Sequence, residues 1–221
     1  MTAAYGPWKA CVFDFDGTLA ELNIDFAAMR ASILELMTAY RIPPLDLPNL
    51  PVLELIAGAA ETLAGHDRPR VPAFLQEARA KIEAIELQAA REGALFPESR
   101  LLLAELRRRA IDTAVVTRNC RAALLQVFPD LACCCKAVIT RDDVGRVKPH
   151  PDHLLAALEL IGAAPADTAM VGDHPIDIHL GRKVGAFTIG VLTGHSRRED
   201  FLAARADLVL DKAAQILDCL A

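Results

Sequence analysis

Six short runs of apolar or β-branched residues recur along the chain, at positions 10–15, 113–117, 137–140, 168–172, 186–191 and 208–210. Runs of this kind read as strands buried on both faces. Helical periods lie between the later ones. Residues 98–110 carry leucines at 101, 102, 103 and 106; residues 152–160 follow two prolines; and residues 177–184 end near Gly185, a candidate C-cap. Strands separated by helices predict an α/β fold built on a parallel sheet flanked by helices.

The stretch 20–93 breaks this rhythm. It shows no convincing strand and three amphipathic helical segments, at 26–40, 50–64 and 72–91, separated by Pro43-Pro44, by Pro48 and by residues 65–69. An excursion of that length between the first two strands of a sheet needs a core of its own, so a second, mobile, all-helical domain is expected there. The predicted organisation is an α/β core of residues 1–19 and 94–221 with an insertion of residues 20–93.

Composition narrows the function classes. With 24 Lys+Arg against 29 Asp+Glu the net charge is −5, so no broad positive field gathers a phosphate backbone, and nucleic acid is a poor partner. The longest run free of Asp, Glu, Lys and Arg is residues 184–196, 13 positions interrupted by three glycines. A bilayer span needs about 18, so no membrane partner is expected. The N-terminal residues lack the apolar stretch and cleavage site of a secretory signal, which predicts a cytoplasmic protein. Of the 6 cysteines, Cys133, Cys134 and Cys135 are consecutive and match no zinc spacing; they read as reduced thiols acting as small hydrophobes at the entry to a strand.

The candidate chemistry sits where predicted strands end. In Val12-Phe13-Asp14-Phe15-Asp16-Gly17-Thr18, side chains two apart share a strand face, so Asp14 and Asp16 project together. Paired carboxylates repel unless a cation or a proton lies between them, although a solvated Asp-Gly turn is the plainer alternative. Thr117, followed by Arg118 and Asn119, places a hydroxyl before a helix whose first amides suit an anion, or serves as an N-cap. Lys148 precedes Pro149 and is thereby biased to extended backbone, a restrained point charge for a phosphoryl group or a solvated loop lysine. Gly172-Asp173 closes another strand, and Asp177 follows as a further acid or a first-turn residue facing the helix dipole. Three of these positions, 14, 117 and 173, fall at the carboxyl ends of predicted parallel strands, the edge where open α/β sheets bind ligands.

In order and spacing these motifs resemble those of the haloacid dehalogenase superfamily. The acidic pair at 14–18 looks like its first motif, Thr117 its second, Lys148-Pro149 its third, and residues 172–177 its fourth. Residues 20–93 are similar to the small helical cap of that superfamily, and residues 142–149 and 196–210 to its phosphoglycolate phosphatase branch. Two positions depart from the pattern: His174 stands where a small hydroxyl residue is common, and Arg118 where a small or amide residue is common.

The resemblance implies a Rossmann-like core and a Mg²⁺-dependent phosphatase acting on a small phosphate ester. Asp14 would be the nucleophile and Asp16 the acid and then the base. Asp14, the Asp16 carbonyl and Asp173 would ligate the metal, with Asp177 ordering its surroundings. Lys148 and Thr117 would neutralise and hold the phosphoryl group, with Arg118 and Asn119 beside them. Asp16 argues against dehalogenation, because a departing halide needs no proton. A phosphomutase acting on a sugar phosphate, or an idle binding module on the same fold, are the alternatives. In the insertion Arg30, Arg41, Arg79, Lys81 and Arg91 suit a substrate anion and a solvated helix face equally well, and His66, His150, His153, His179 and His195 show no metal-ligand pattern.

Overall fold

The computed structural model describes Gly6 and residues 8–43 and 50–220, so Pro44 and Pro48 of the expected helix punctuation lie outside the described residues. In chain order the strands are β1 (Ala10–Phe13), β2 (Ala20–Glu21), β3 (Ala94–Leu95), β4 (Asp112–Val116), β5 (Ala137–Ile139), β6 (Thr168–Gly172), β7 (Phe187–Val191) and β8 (Leu208–Leu210). The helices are α1 (Phe26–Ala39), α2 (Val52–Ala64), α3 (Val71–Glu92), α4 (Ser99–Arg108), α5 (Arg121–Val127), α6 (Leu131–Cys134), α7 (Pro151–Ile161), α8 (Pro175–Val184) and α9 (Arg198–Ala203).

Six strands form one sheet in the order β5-β4-β1-β6-β7-β8, and every pairing in it is parallel. All four residues of β1 are buried, as a central strand covered on both faces requires. Val12 and Ala10 pack in one cluster with Ala114, Met170, Leu154, Leu158 and Leu180, joining three strands to α7 and α8. Each large side chain so buried contributes about 1.5–3 kcal/mol. Register sets the ends level: Phe13 pairs with Val115 on one side and Val171 on the other. Asp14, Thr117 and Asp173 therefore leave the sheet at one edge. The expected cap of α8 is present, with Gly185 left-handed at φ 88° and its N–H on the Arg182 and Gly181 carbonyls.

The described chain divides into two compact units, residues 1–22 with 90–221, and residues 23–89. The second is built from α1, α2 and α3, with Asp25 capping α1 by accepting from the Ala28 N–H at 2.8 Å. Three expectations are corrected. The stretch 20–93 does contain a strand, since Ala20–Glu21 pairs antiparallel with Ala94–Leu95; two residues are too few to show a period. The first strand stops at Phe13 and not Phe15, because the Phe15 carbonyl accepts from the Thr18, Leu19 and Ala20 amides at 3.2, 2.9 and 3.0 Å and turns the chain. Of the consecutive cysteines only Cys135 is buried; Cys133 is exposed near the end of α6, and none of the six cysteines forms a disulfide among the described residues. Among the described residues no helix is long and apolar enough to cross a membrane.

Candidate active site

Lys148 lies at the centre of the sheet edge. Its side chain is 1% exposed, and Nζ stands 2.8 Å from Asp14 Oδ1 and 2.8 Å from Asp177 Oδ1. Burial alone would drive the ammonium to lose its proton, but Asp14 and then Asp177 outweigh it and hold the pKa above its ordinary value. The lysine backbone is held as well. Its N–H donates to His153 Nδ1 at 3.0 Å, and its carbonyl accepts from Arg118 Nη1 at 2.9 Å. Burial, and next the Lys148 charge, push the His153 imidazole down to about 3, so the ring is neutral and Nδ1 can accept.

Carboxylate oxygens of Asp14, Asp173 and Asp177 all lie within 4.8 Å of one another. Asp177 is completely buried, with Oδ1 on Lys148 and Oδ2 accepting from the His174 N–H at 3.3 Å. It therefore both caps α8 and faces the lysine. Close approach makes room for it: a Cβ on Gly172 would lie 2.2 Å from Asp177 Cγ, and one on Gly194 would lie 1.9 Å from Asp173 Oδ2. Burial raises Asp177 to about 7 despite Lys148, and raises Asp173 to about 8 with help from Asp14 and Asp177. Once a cation displaces the protons of Asp173 and Asp177, three carboxylates less one ammonium would present two negative charges on hard oxygen donors, a set that suits a divalent cation.

Asp16 departs from the expected pairing. Its Oδ1 accepts from the Leu22 N–H at 2.9 Å, outside the cluster that Asp14 joins, because the chain has turned at Phe15. Burial is the main cause that lifts its pKa to about 6, with the Asp14 charge adding to it. Asp14 Oδ1 accepts from the Phe15 N–H at 2.6 Å besides Lys148, which leaves Oδ2 for a ligand or an electrophile.

A family profile of haloacid dehalogenase-like hydrolases matches residues 8–185. The chain belongs to this family. The hydrolase is 28% identical over 221 residues to the N-acetylmuramic acid 6-phosphate phosphatase of Pseudomonas aeruginosa, covering 96% of this chain and 94% of that protein. It is 29% identical to a pyrophosphatase PpaX of Bacillus cereus, covering 95% of this chain and 94% of the other. Among solved structures, CbbY from Rhodobacter sphaeroides, in complex with phosphate, aligns with a TM-score of 0.66 at 25% identity, covering 96% of this chain and 99% of that one. A hydrolase from Pseudomonas syringae aligns at 0.67 and 21% identity, covering 95% of this chain and 96% of the other.

The remaining predicted residues of the hydrolase divide. Thr117 is buried at the end of β4, its N–H on the Ile139 carbonyl at 3.0 Å and its Oγ1 accepting from the Asn119 N–H at 3.2 Å. That turn holds Asn119 nearly buried, with no hydrogen-bond partner for Nδ2 among the described residues. Arg118 spends its Nη1 on the Lys148 carbonyl, a positioning contact that the expectation of a substrate contact did not include. His153 was not singled out as functional; a histidine on a helix face carries no signal of the amide it will meet. Thr193 was missed too, and its Oγ1 donates to the Gly17 carbonyl, tying the loop after β7 to the turn after Asp16.

Proposed function

We propose that the hydrolase is a Mg²⁺-dependent phosphatase that cleaves a small phosphorylated metabolite through an aspartyl phosphate on Asp14. The observation that carries this reading is the buried Lys148 ammonium bridging Asp14 and Asp177, with Asp173 beside them at the carboxyl edge of the sheet. A carboxylate nucleophile divides a slow hydrolysis into two easier steps. The Asp14 oxygen attacks phosphorus and the ester oxygen leaves with a proton from Asp16. Water, losing a proton to Asp16, then attacks the acyl phosphate and releases inorganic phosphate. Lys148 offsets the charge of both Asp14 and the phosphoryl oxygens, and Thr117 with its neighbouring amides holds a further oxygen. Held by Asp14, Asp173 and the Asp16 carbonyl, with Asp177 behind them, the cation would neutralise the phosphoryl charge. The relatives that are phosphatases support the reading. Its test is a panel of esters, including 2-phosphoglycolate, pyrophosphate and hexose phosphates, assayed for phosphate release with Mg²⁺ and with excess chelator; release is expected with the metal and lost without it.

The acid role of Asp16 predicts a leaving-group dependence. Asp16→Asn keeps the volume and removes the proton, so an alkyl alkoxide departs unassisted while p-nitrophenolate hardly needs help. In rapid quench, the burst of phosphoenzyme from an alkyl phosphate should slow by about 10²-fold and that from p-nitrophenyl phosphate much less. Equal slowing of both bursts removes Asp16 from the proton-donor role.

Metal and pH should be linked in stability. Asp173 and Asp177 titrate above the value of an unfolded carboxylate, near 8 and 7, so the metal-free fold binds more protons than the unfolded chain. Their contribution is present below the unfolded pKa and is lost as pH rises through the folded values. A cation competes with those protons, so its stabilisation grows with pH. At a Mg²⁺ concentration 100 times Kd the gain is about 2.7 kcal/mol, roughly 5–10 °C in Tm. Melting with Mg²⁺ and with chelator should show that gain at pH 8 and a much smaller one at pH 5; equal gains contradict the assignment.

A further inference from the structure

Both backbone polar groups of Lys148 are gripped, and by different elements. The N–H donates to His153 Nδ1 at 3.0 Å, and the carbonyl accepts from Arg118 Nη1 at 2.9 Å. His153 is buried in the first turn of α7, whose next residue, Leu154, packs with Leu158 and Ile161 against β1, β4 and β5 in the core. Arg118 follows Thr117 at the end of β4, and its own carbonyl accepts at 3.3 Å from Nη1 of Arg141, a side chain only 9% exposed. The lysine backbone is thereby anchored to a core helix on one side and to the sheet edge on the other. The histidine ring makes one paired contact. With Nδ1 accepting, the proton of the neutral ring sits on Nε2, which is buried and has no partner at hydrogen-bond geometry among the described residues. Burial and the Lys148 charge favour that neutral ring over the pull of the Ile139 and Thr140 backbone. A buried donor left unpaired costs stability, so an apolar side chain would serve packing better at this position. What the ring supplies is the acceptor on the lysine N–H.

We propose that His153 and Arg118 are positioning residues that, by fixing the backbone of Lys148, set its ammonium equally close to Asp14 and Asp177. The inference rests on the phosphatase reading, in which that ammonium offsets charge on the nucleophile and on the phosphoryl oxygens. Arg118 acts through the lysine and not on the substrate. The geometry leaves little tolerance. Nζ ends a flexible aliphatic stem and stands 2.8 Å from one oxygen of each carboxylate, so a displacement of its backbone lengthens one contact or the other beyond hydrogen-bond reach. A misplacement of about 1 Å in a reacting constellation costs about 10²-fold in rate. Neither grip uses the ammonium itself, so both can hold it in place without competing for its charge.

The test uses the full chain with Mg²⁺ and p-nitrophenyl phosphate alongside the ester panel. His153→Leu removes the acceptor and Arg118→Met the donor; each should lower kcat by about 10- to 100-fold and leave KM within about 3-fold of wild type. His153→Asn offers an Oδ1 acceptor near the place of Nδ1 and should restore kcat to within about 5-fold of wild type. In a Lys148→Met background neither substitution should lower kcat further by more than about 2-fold, because no ammonium is left to place. Nitrogen NMR of the wild type gives a readout independent of turnover: His153 should show an unprotonated Nδ1 and a protonated Nε2, and a protonated Nδ1 overturns its role. Arg118→Met carries the kinetic test if His153→Leu fails to fold. Unchanged kcat, a rise in KM alone, or an undiminished effect in the Lys148→Met background overturns the inference and leaves the phosphatase reading standing. A wild-type protein that releases phosphate from none of the esters overturns the phosphatase reading, and the inference with it.

Discussion

Asp14→Asn should abolish turnover of every phosphate ester, by about 10⁴-fold or more, and should leave the protein folded. The substitution keeps the side-chain volume and an oxygen that can accept from the Phe15 N–H, while removing the charge that makes Asp14 a nucleophile. The loss to stability is small for a specific reason. Lys148 retains Asp177 as an ion-pair partner, and Asp173 is freed of the neighbour that ranks next after burial in raising its pKa. No phosphoenzyme should be trapped from the variant, whereas acid quench of the wild type should trap one that hydroxylamine releases. Turnover in Asp14→Asn within 100-fold of wild type would place the nucleophile on another residue.

Lys148→Met should damage both stability and activity. It leaves Asp14, Asp173 and Asp177 clustered without a counter-charge, Asp177 in a position with no solvent access at all. Removing one partner of a buried ion pair costs about 3–5 kcal/mol, roughly 6–20 °C in Tm for a chain of this size. Activity should fall by about 10³-fold, since a donor aimed at developing charge in a site shielded from water is lost. The pH dependence separates this cause from a mere packing defect. Without the ammonium Asp173 and Asp177 keep their protons to still higher pH, so the variant should recover much of its deficit at pH 5, where those two are neutral, and lose it again as pH rises. A deficit equal at pH 5 and pH 8 would show that Lys148 acts through its apolar stem instead.

Much of the core was legible in the sequence because strand-forming runs report their own burial. Residues 168–172 and 208–210 form strands with the bounds read from composition, and the others differ by a residue or two at their ends. The candidate positions 14, 117 and 173 were legible for the same reason: they lie near or just past the ends of apolar runs, and parallel strands joined by helices bring all their carboxyl ends to one edge. Helix signals were equally local, as Gly185 shows by ending α8 in the left-handed conformation that glycine adopts without strain.

Contacts between residues distant in the chain followed no such period. Alternation along a strand set Asp16 beside Asp14, but the Phe15 carbonyl gathers three amides and sends Asp16 to the Leu22 N–H, a choice made by a turn the pattern does not encode. Asp177 read equally well as a first-turn acid; its burial against Lys148 depends on Gly172, whose missing Cβ lets the carboxylate come within a bond-like distance of where that atom would be. Arg118 and His153 hold Lys148 from positions 30 and 5 residues away in sequence, and neither contact has a signature in residue type. Burial and helix ends are decided by neighbours a few positions apart, so the sequence determined the elements and the edge where the chemistry collects. Which oxygen meets which proton there depends on the register of β1 against β4 and β6 and on the space left by two glycines, and only the packed fold decided that.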